Sequence, residues 1–115
     1  MTDFPRRGEV WLTELPTSTG SVLSGTRPAV VVQNDLGNQL SNTTVVVPVT
    51  SKFERIYRFM AVVQPPEGGL TEPSVANASA IMAIDRSRLL RRMGQLSPQR
   101  MADVERAVKA NLALD

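Results

Sequence analysis

Arg27-Pro28-Ala29-Val30-Val31-Val32-Gln33 and Thr43-Thr44-Val45-Val46-Val47-Pro48-Val49-Thr50 decide the fold class of this chain. Uninterrupted β-branched runs of this kind form strands buried on both faces. Pro28 disfavours helix at Arg27 and directs its guanidinium out of the strand mouth. Pro48 cannot donate to a ladder, so an edge position or a bulge is expected there. Between the runs, Asn34-Asp35-Leu36-Gly37-Asn38 is turn and cap chemistry. Upstream, Glu9 to Leu15 reads as a first strand, closed by Pro16. Thr17 to Thr26 is a hydroxyl- and glycine-rich loop, of a length that more often serves function than connection.

Downstream, Met60 to Gln64, Ser74 to Ile84 and Arg91 to Leu96 read as further strands, Pro65 to Gly69 as a plain loop, and Asp85 to Leu90 as a short helical turn. Ser97-Pro98 supplies an N-cap hydroxyl and a first-position proline. Met101, Val104, Val108 and Leu112 then recur at helical spacing, predicting one helix from Pro98 to Leu112 with that face on the sheet. The expected architecture is a small, strongly bent sheet or open barrel with one terminal helix, a single domain over residues 1–115.

Composition limits the chemistry. The 115 residues include 13 Lys and Arg against 11 Asp and Glu, a net charge of +2, with no His and no Cys. Imidazole-based triads, paired-His nucleases, thiolate zinc sites and disulfides are therefore excluded. Catalysis has to use arginine, carboxylates, hydroxyls or backbone. Eleven of the 13 basic residues are Arg, a phosphate-binding bias that a GC-rich genome would also produce. No stretch reaches the ~20 apolar residues of a membrane span, and Met1 to Arg7 lacks a signal-peptide core, so a cytoplasmic protein is expected.

Three constellations bear on function. Asp103 and Glu105, two apart on the predicted helix, point to different faces and make no metal site; no metal or cofactor is expected. Arg86, Arg88, Arg91 and Arg92 read either as a phosphate footprint or as an edge strand guarded by charge, and the second explanation suffices. Lys52 to Phe59 interleaves Lys52, Arg55 and Arg58 with Phe53, Tyr57 and Phe59. A single-stranded nucleic-acid groove offers that combination, charge for backbone and rings for bases, but a half-buried strand alternates in the same way. Arg27 and Thr50 form the sharpest pair, each at the end of a valine-rich strand beside a polar loop. Two adjacent strands would bring them to one cleft; equally, Arg27 could be tied to a carboxylate and Thr50 could cap a turn.

Those residues also carry a resemblance. Arg7-Gly8-Glu9-Val10-Trp11, Arg27 to Asp35 with Gly37-Asn38, Val47-Pro48-Val49-Thr50-Ser51, Ser74-Val75, Ile84-Asp85-Arg86-Ser87-Arg88-Leu89 and Gly94-Gln95-Leu96-Ser97 resemble, in order and over nearly the whole chain, the MazF/PemK endoribonuclease toxins. The resemblance implies an SH3-like barrel with a C-terminal helix, a homodimer, and a cognate MazE-like antitoxin with an acidic, apolar tail. It also implies metal-independent, sequence-specific cleavage of single-stranded RNA, in which the 2'-hydroxyl attacks phosphorus to leave 2',3'-cyclic phosphate and 5'-hydroxyl ends. Arg27 and Thr50 match the catalytic pair. RNA-contact candidates are Thr19, Gly20 and Ser21 in the hydroxyl-rich loop, Ser51, Lys52, Phe53 and Arg55 after the third strand, and Asn77 and Ser79 further on. Two positions depart from the family pattern: Ala80 stands where many members carry Gln, and Val22 where many carry Glu. A non-catalytic RNA-binding module on the same barrel is the competing reading. A CcdB-like gyrase inhibitor is another, although that family lacks the Arg-Pro-Ala-Val-Val-Val motif and ends in a short Trp-containing tail.

Overall fold

Seven antiparallel strands and two helices make up the computed structural model, which describes residues 3–17, 20 and 23–114. The strands are β1 (Glu9–Leu15), β2 (Gly25–Val31), β3 (Thr43–Thr50), β4 (Met60–Val63), β5 (Ser74–Asn77), β6 (Met82–Asp85) and β7 (Leu89–Gln95). The helices are α1 (Asp35–Leu40) and α2 (Pro98–Leu112). The sheet runs β4-β5-β3-β2-β1-β7, with β6 also paired to β3. This is the small, strongly bent β architecture with a C-terminal helix that the valine runs predict.

Strand alternation divides the apolar residues between two cores. Val10, Val30, Val47, Val49, Ala61, Val63 and Ala76 pack against Met101, Val104 and Ala107 of α2. On the opposite sheet face Leu15, Ala29, Val31, Val46 and Ile84 form a second cluster, extended by Trp11, Leu23, Met82 and Leu89. Burial on both faces is the reason β2 and β3 read as continuous rather than alternating runs. The helix face differs from expectation at its end: Ala107 is buried, whereas Leu112 is exposed.

Four other expectations change. Pro48 lies on neither an edge nor a bulge. β3 pairs with β6 through Thr43 to Val46 and with β5 only from Val49, so Val47 and Pro48 fall in the gap where one neighbour replaces the other. Ser74 to Ile84 is two strands separated by a 3-10 turn at Ala78–Ala80, started by Asn77, whose side chain accepts from the Ser79 N–H. Asn34 to Asn38 opens a helix: Asn34 caps α1 by accepting from Gly37 N–H at 2.8 Å. Buried Asn38 accepts from Thr44 Oγ1 at 2.6 Å, which pins α1 to β3. Finally, Pro65 to Gly69 contains a 3-10 turn at Glu67–Gly69 seated on β7. There Gly94 has no room for a side chain, since a Cβ would lie 2.6 Å from the Gly68 carbonyl carbon.

The Arg7-Gly8-Glu9-Val10-Trp11 opening is structural. Gly8, at φ +93°, turns the chain so that its N–H donates to Val31 O and its carbonyl accepts from Leu96 N–H. The Glu9 carboxylate, 8% exposed, gathers the Arg6 N–H (2.8 Å), the Trp11 indole N–H (3.0 Å) and Arg92 Nε (2.8 Å). Glu9→Ala strands those donors, and urea denaturation should show a loss of about 2 kcal/mol; an unchanged midpoint would refute the assignment.

Candidate functional site

On the face opposite α2, the apolar residues of β2 and β3 give way to polar ones at one end. Ala29 faces Pro48, Val30 faces Val47 and Val31 faces Val46. Carried two residues further, that register sets Arg27 opposite Thr50. Arg27 also faces Thr13 of β1, and Thr50 faces Val75 of β5. Because β2 begins at Gly25, Arg27 lies inside the strand rather than at its mouth, paired to β1 on one side.

The two side chains differ in their engagement. Arg27 is half-buried, and its Nε–H donates to the Ser24 carbonyl at 3.0 Å. Its two terminal nitrogens make no hydrogen bond or ion pair among the described residues, so the carboxylate tie considered from sequence is not found there. Thr50 does cap a turn: its Oγ1 accepts from the Lys52 N–H at 3.1 Å. That bond occupies a lone pair and leaves the hydroxyl proton only a long 3.4 Å contact to the Lys52 carbonyl. Thr50 therefore offers a donor, at a side chain only 9% exposed.

A cleft of about 730 Å³ opens over Thr50, lined by Leu23, Lys52, Phe53, Glu54, Arg55, Tyr57, Met60 and Asn77. Its wall is the segment Lys52 to Arg58, which is an exposed loop and not a half-buried strand. The strand explanation of its charge and ring alternation therefore falls away. Tyr57 and Phe59 stack at 5.1 Å between centroids, 5° from parallel, and the Arg55 guanidinium lies over the Tyr57 ring at 5.8 Å.

Of the residues singled out from sequence, Thr50, Lys52, Phe53, Arg55 and Asn77 share this cleft. Arg27 is not among its lining residues; the β2–β3 register, carried on, sets it opposite Thr50. Ser79 is exposed and bonded to Asn77; Ser51 is exposed beside Thr50 without lining the cleft; Gly20 is exposed at φ +82°. Thr19 and Ser21, together with Val22, lie outside the described residues. Ala80 is half-buried in the 3-10 turn. Tyr57, one of the rings interleaved with charge in the sequence, also lines the cleft; Glu54, which the sequence did not single out, is the one carboxylate among the lining residues.

Many charged groups outside the cleft have local partners. Arg86 donates to the carbonyls of Asp3 (2.6 Å), Ser41 (3.3 Å) and Asn38 (3.5 Å). Arg88 reaches the Glu14 carbonyl, and Arg92 pairs with Glu9. Three of the four arginines of this cluster therefore brace the edge of the sheet, and Arg91 makes no hydrogen bond or ion pair among the described residues. The Ser87 backbone N–H and hydroxyl, with Arg88 and Arg86 nearby, hold the Asp85 carboxyl below the usual range. Asp103 pairs with Arg100 and Arg106, and Glu105 with Arg7. No group of three potential metal-ligating side chains occurs among the described residues.

A family model described as "PemK-like, MazF-like toxin of type II toxin-antitoxin system" matches residues 6–112. The chain belongs to the PemK/MazF toxin family. Endoribonuclease MazF9 of Mycobacterium tuberculosis is 37% identical over 114 residues, covering 95% of this chain and 97% of the relative. Endoribonuclease MazF of Staphylococcus saprophyticus is 33% identical over 110 residues, covering 95% and 92%. Among solved structures, MazF from Deinococcus radiodurans superposes with a TM-score of 0.82 at 22% identity, over 97% of this chain and 99% of that one. A mycobacterial endoribonuclease in complex with its cognate antitoxin superposes at 0.80 with 23% identity, over 96% and 97%. These superpositions establish the MazF fold, in agreement with the barrel that the resemblance implies.

Proposed function

We propose that this MazF-type endoribonuclease cleaves single-stranded RNA without a metal ion, Arg27 and Thr50 acting on the scissile phosphate. The reading is carried by one observation. An arginine whose terminal nitrogens are unengaged among the described residues lies in register with a threonine whose hydroxyl is left as a donor, the threonine beneath a cleft walled by basic and aromatic side chains. RNA supplies both nucleophile and electrophile, so the protein has to align the 2'-hydroxyl with phosphorus and stabilise charge on the phosphoryl oxygens. Arg27 takes those oxygens through its planar fork and donates a proton toward the leaving 5'-oxygen, while the attacking 2'-hydroxyl releases its proton to water, from which Arg27 is reprotonated; Thr50 adds a hydrogen bond. The products are a 2',3'-cyclic phosphate and a 5'-hydroxyl. Lys52 and Arg55 hold the backbone, and Phe53 and Tyr57 offer ring faces to bases.

By the same reading the chain works in the cytoplasm as a homodimer. Its inhibitor is a cognate antitoxin whose acidic, apolar tail folds along the basic cleft. The complexes known for its structural neighbours support that partner.

Incubation of a long single-stranded RNA with the protein in EDTA tests the proposal. Discrete fragments bearing cyclic-phosphate ends are expected; intact RNA would leave only a binding module. A second measurement addresses the wall of the cleft. Lys52→Ala and Arg55→Ala should each weaken RNA binding and lower the slope of log affinity against log salt by about 0.7. Unaltered slopes would remove those residues from the interface.

A further inference from the structure

We propose that Asn77, with its amide orientation fixed by Ser79, makes the cleft select a base carrying a carbonyl over one carrying an amino group at the same position. The inference deepens the RNA-cleft reading and rests on it. Asn77 ends β5, faces Met60 of β4 and lines the cleft over Thr50. Its Oδ1 accepts twice from Ser79, from the backbone N–H at 3.0 Å and from the hydroxyl at 2.7 Å. A backbone N–H can only donate, so the amide atom it meets is the oxygen; the orientation follows from chemistry rather than assignment. Both oxygen lone pairs are then occupied. The Nδ2 group makes no hydrogen bond among the described residues, so toward the cleft this asparagine offers donors alone.

That restriction has consequences for bases. An unconstrained Asn can accept from the adenine amino group while donating to N7. Here the accepting half is consumed by Ser79. Uracil O4 and guanine O6 are acceptors where cytosine and adenine present N–H donors. A donor-only amide pairs with the first two on that edge and meets the second two donor to donor. Uracil and cytosine have similar size and stacking area, so their ratio isolates the effect. Ser79 is the positioning residue: its hydroxyl keeps the second lone pair of Oδ1 from an incoming base.

The test uses binding in an Arg27→Ala background, so that the RNA stays intact, with oligouridylate and oligocytidylate as probes. The background protein should prefer uridylate about tenfold. Asn77→Asp keeps both bonds to Ser79 but exchanges the free donors for an acceptor, so it should reverse the preference. Asn77→Ala should bring the ratio near one, and Ser79→Ala should lower it without reversal. A uridylate-to-cytidylate ratio that is equal in all four proteins, a background preference for cytidylate, or failure to bind either probe overturns the inference. End-mapped digestion by the chain with Arg27 intact separates this from the cleavage reading. Uncut RNA with the stated ratios removes cleavage and keeps base selection; cut RNA with invariant ratios does the reverse.

Discussion

Arg27→Ala should lower the rate of RNA cleavage by about 10³-fold or more while leaving the fold intact. Removing one preorganised donor from a developing oxyanion typically costs 10² to 10³ in rate, and a phosphate-directed arginine is often worth more. A 10³-fold loss corresponds to about 4 kcal/mol of transition-state stabilisation. The structure gives two reasons to expect the upper part of that range. Among the described residues the guanidinium spends only Nε, on Ser24, which leaves both terminal nitrogens for phosphate. The backbone beneath it is paired to β1 and faces β3 by register, so little reorganisation is needed when the charge develops.

Stability should hardly move, since Arg27 has no ion-pair partner among the described residues and is not part of either apolar cluster. Arg27→Lys keeps the charge but replaces the fork by a point charge and gives up the Nε contact, so it should recover only a small part of the rate. Rates from single-turnover cleavage, read beside thermal melts, decide the matter. Wild-type-like cleavage by Arg27→Ala would sink the catalytic assignment; a collapsed melt would instead show that Arg27 holds the strand in place.

Arg27 and Thr50 stand out in the sequence at the ends of two valine-rich strands, but the whole of their setting does not. β1, β3 and α2 begin and end where alternation, the valine run and the Ser97-Pro98 cap place them, because those signals are local. The position of Pro48 depends on β6 yielding to β5 across β3, a long-range pairing that no window around Pro48 contains. The break between β5 and β6 depends on the Asn77 amide taking the Ser79 N–H, while the surrounding alanines suit strand and helix alike. Glu54 and Tyr57 became cleft walls because Lys52 to Arg58 folds back over Thr50 as a loop, whereas its alternating rings and charges also suit a strand. The arginines after Ile84 looked interchangeable in sequence; three of the four, Arg86, Arg88 and Arg92, are tied to specific carbonyls or to Glu9, which only the folded arrangement reveals.

Thr50→Val should cost about 10²-fold in cleavage, less than Arg27→Ala, because it removes one neutral donor rather than a charged fork. Valine keeps the shape and β-propensity of threonine, and Thr50 sits at the end of β3 with only 9% of its surface exposed, so the strand itself should persist. The hydroxyl has a second duty, however. Its oxygen accepts from Lys52 N–H and so fixes where the cleft wall leaves the strand. Loss of that acceptor loosens Lys52 and the residues after it, which predicts weaker RNA binding in addition to slower chemistry. Thr50→Ser separates the two contributions, since it retains both the acceptor for Lys52 and the donor for phosphate; it should stay within about tenfold of wild type. The decisive comparison is between single-turnover rate at saturating RNA and affinity measured on uncleaved RNA. A fall in saturating rate for Thr50→Val, restored by Thr50→Ser, establishes the hydroxyl as a phosphate donor. If only the affinity falls, Thr50 serves the cleft wall alone, and Arg27 stabilises the transition state without it.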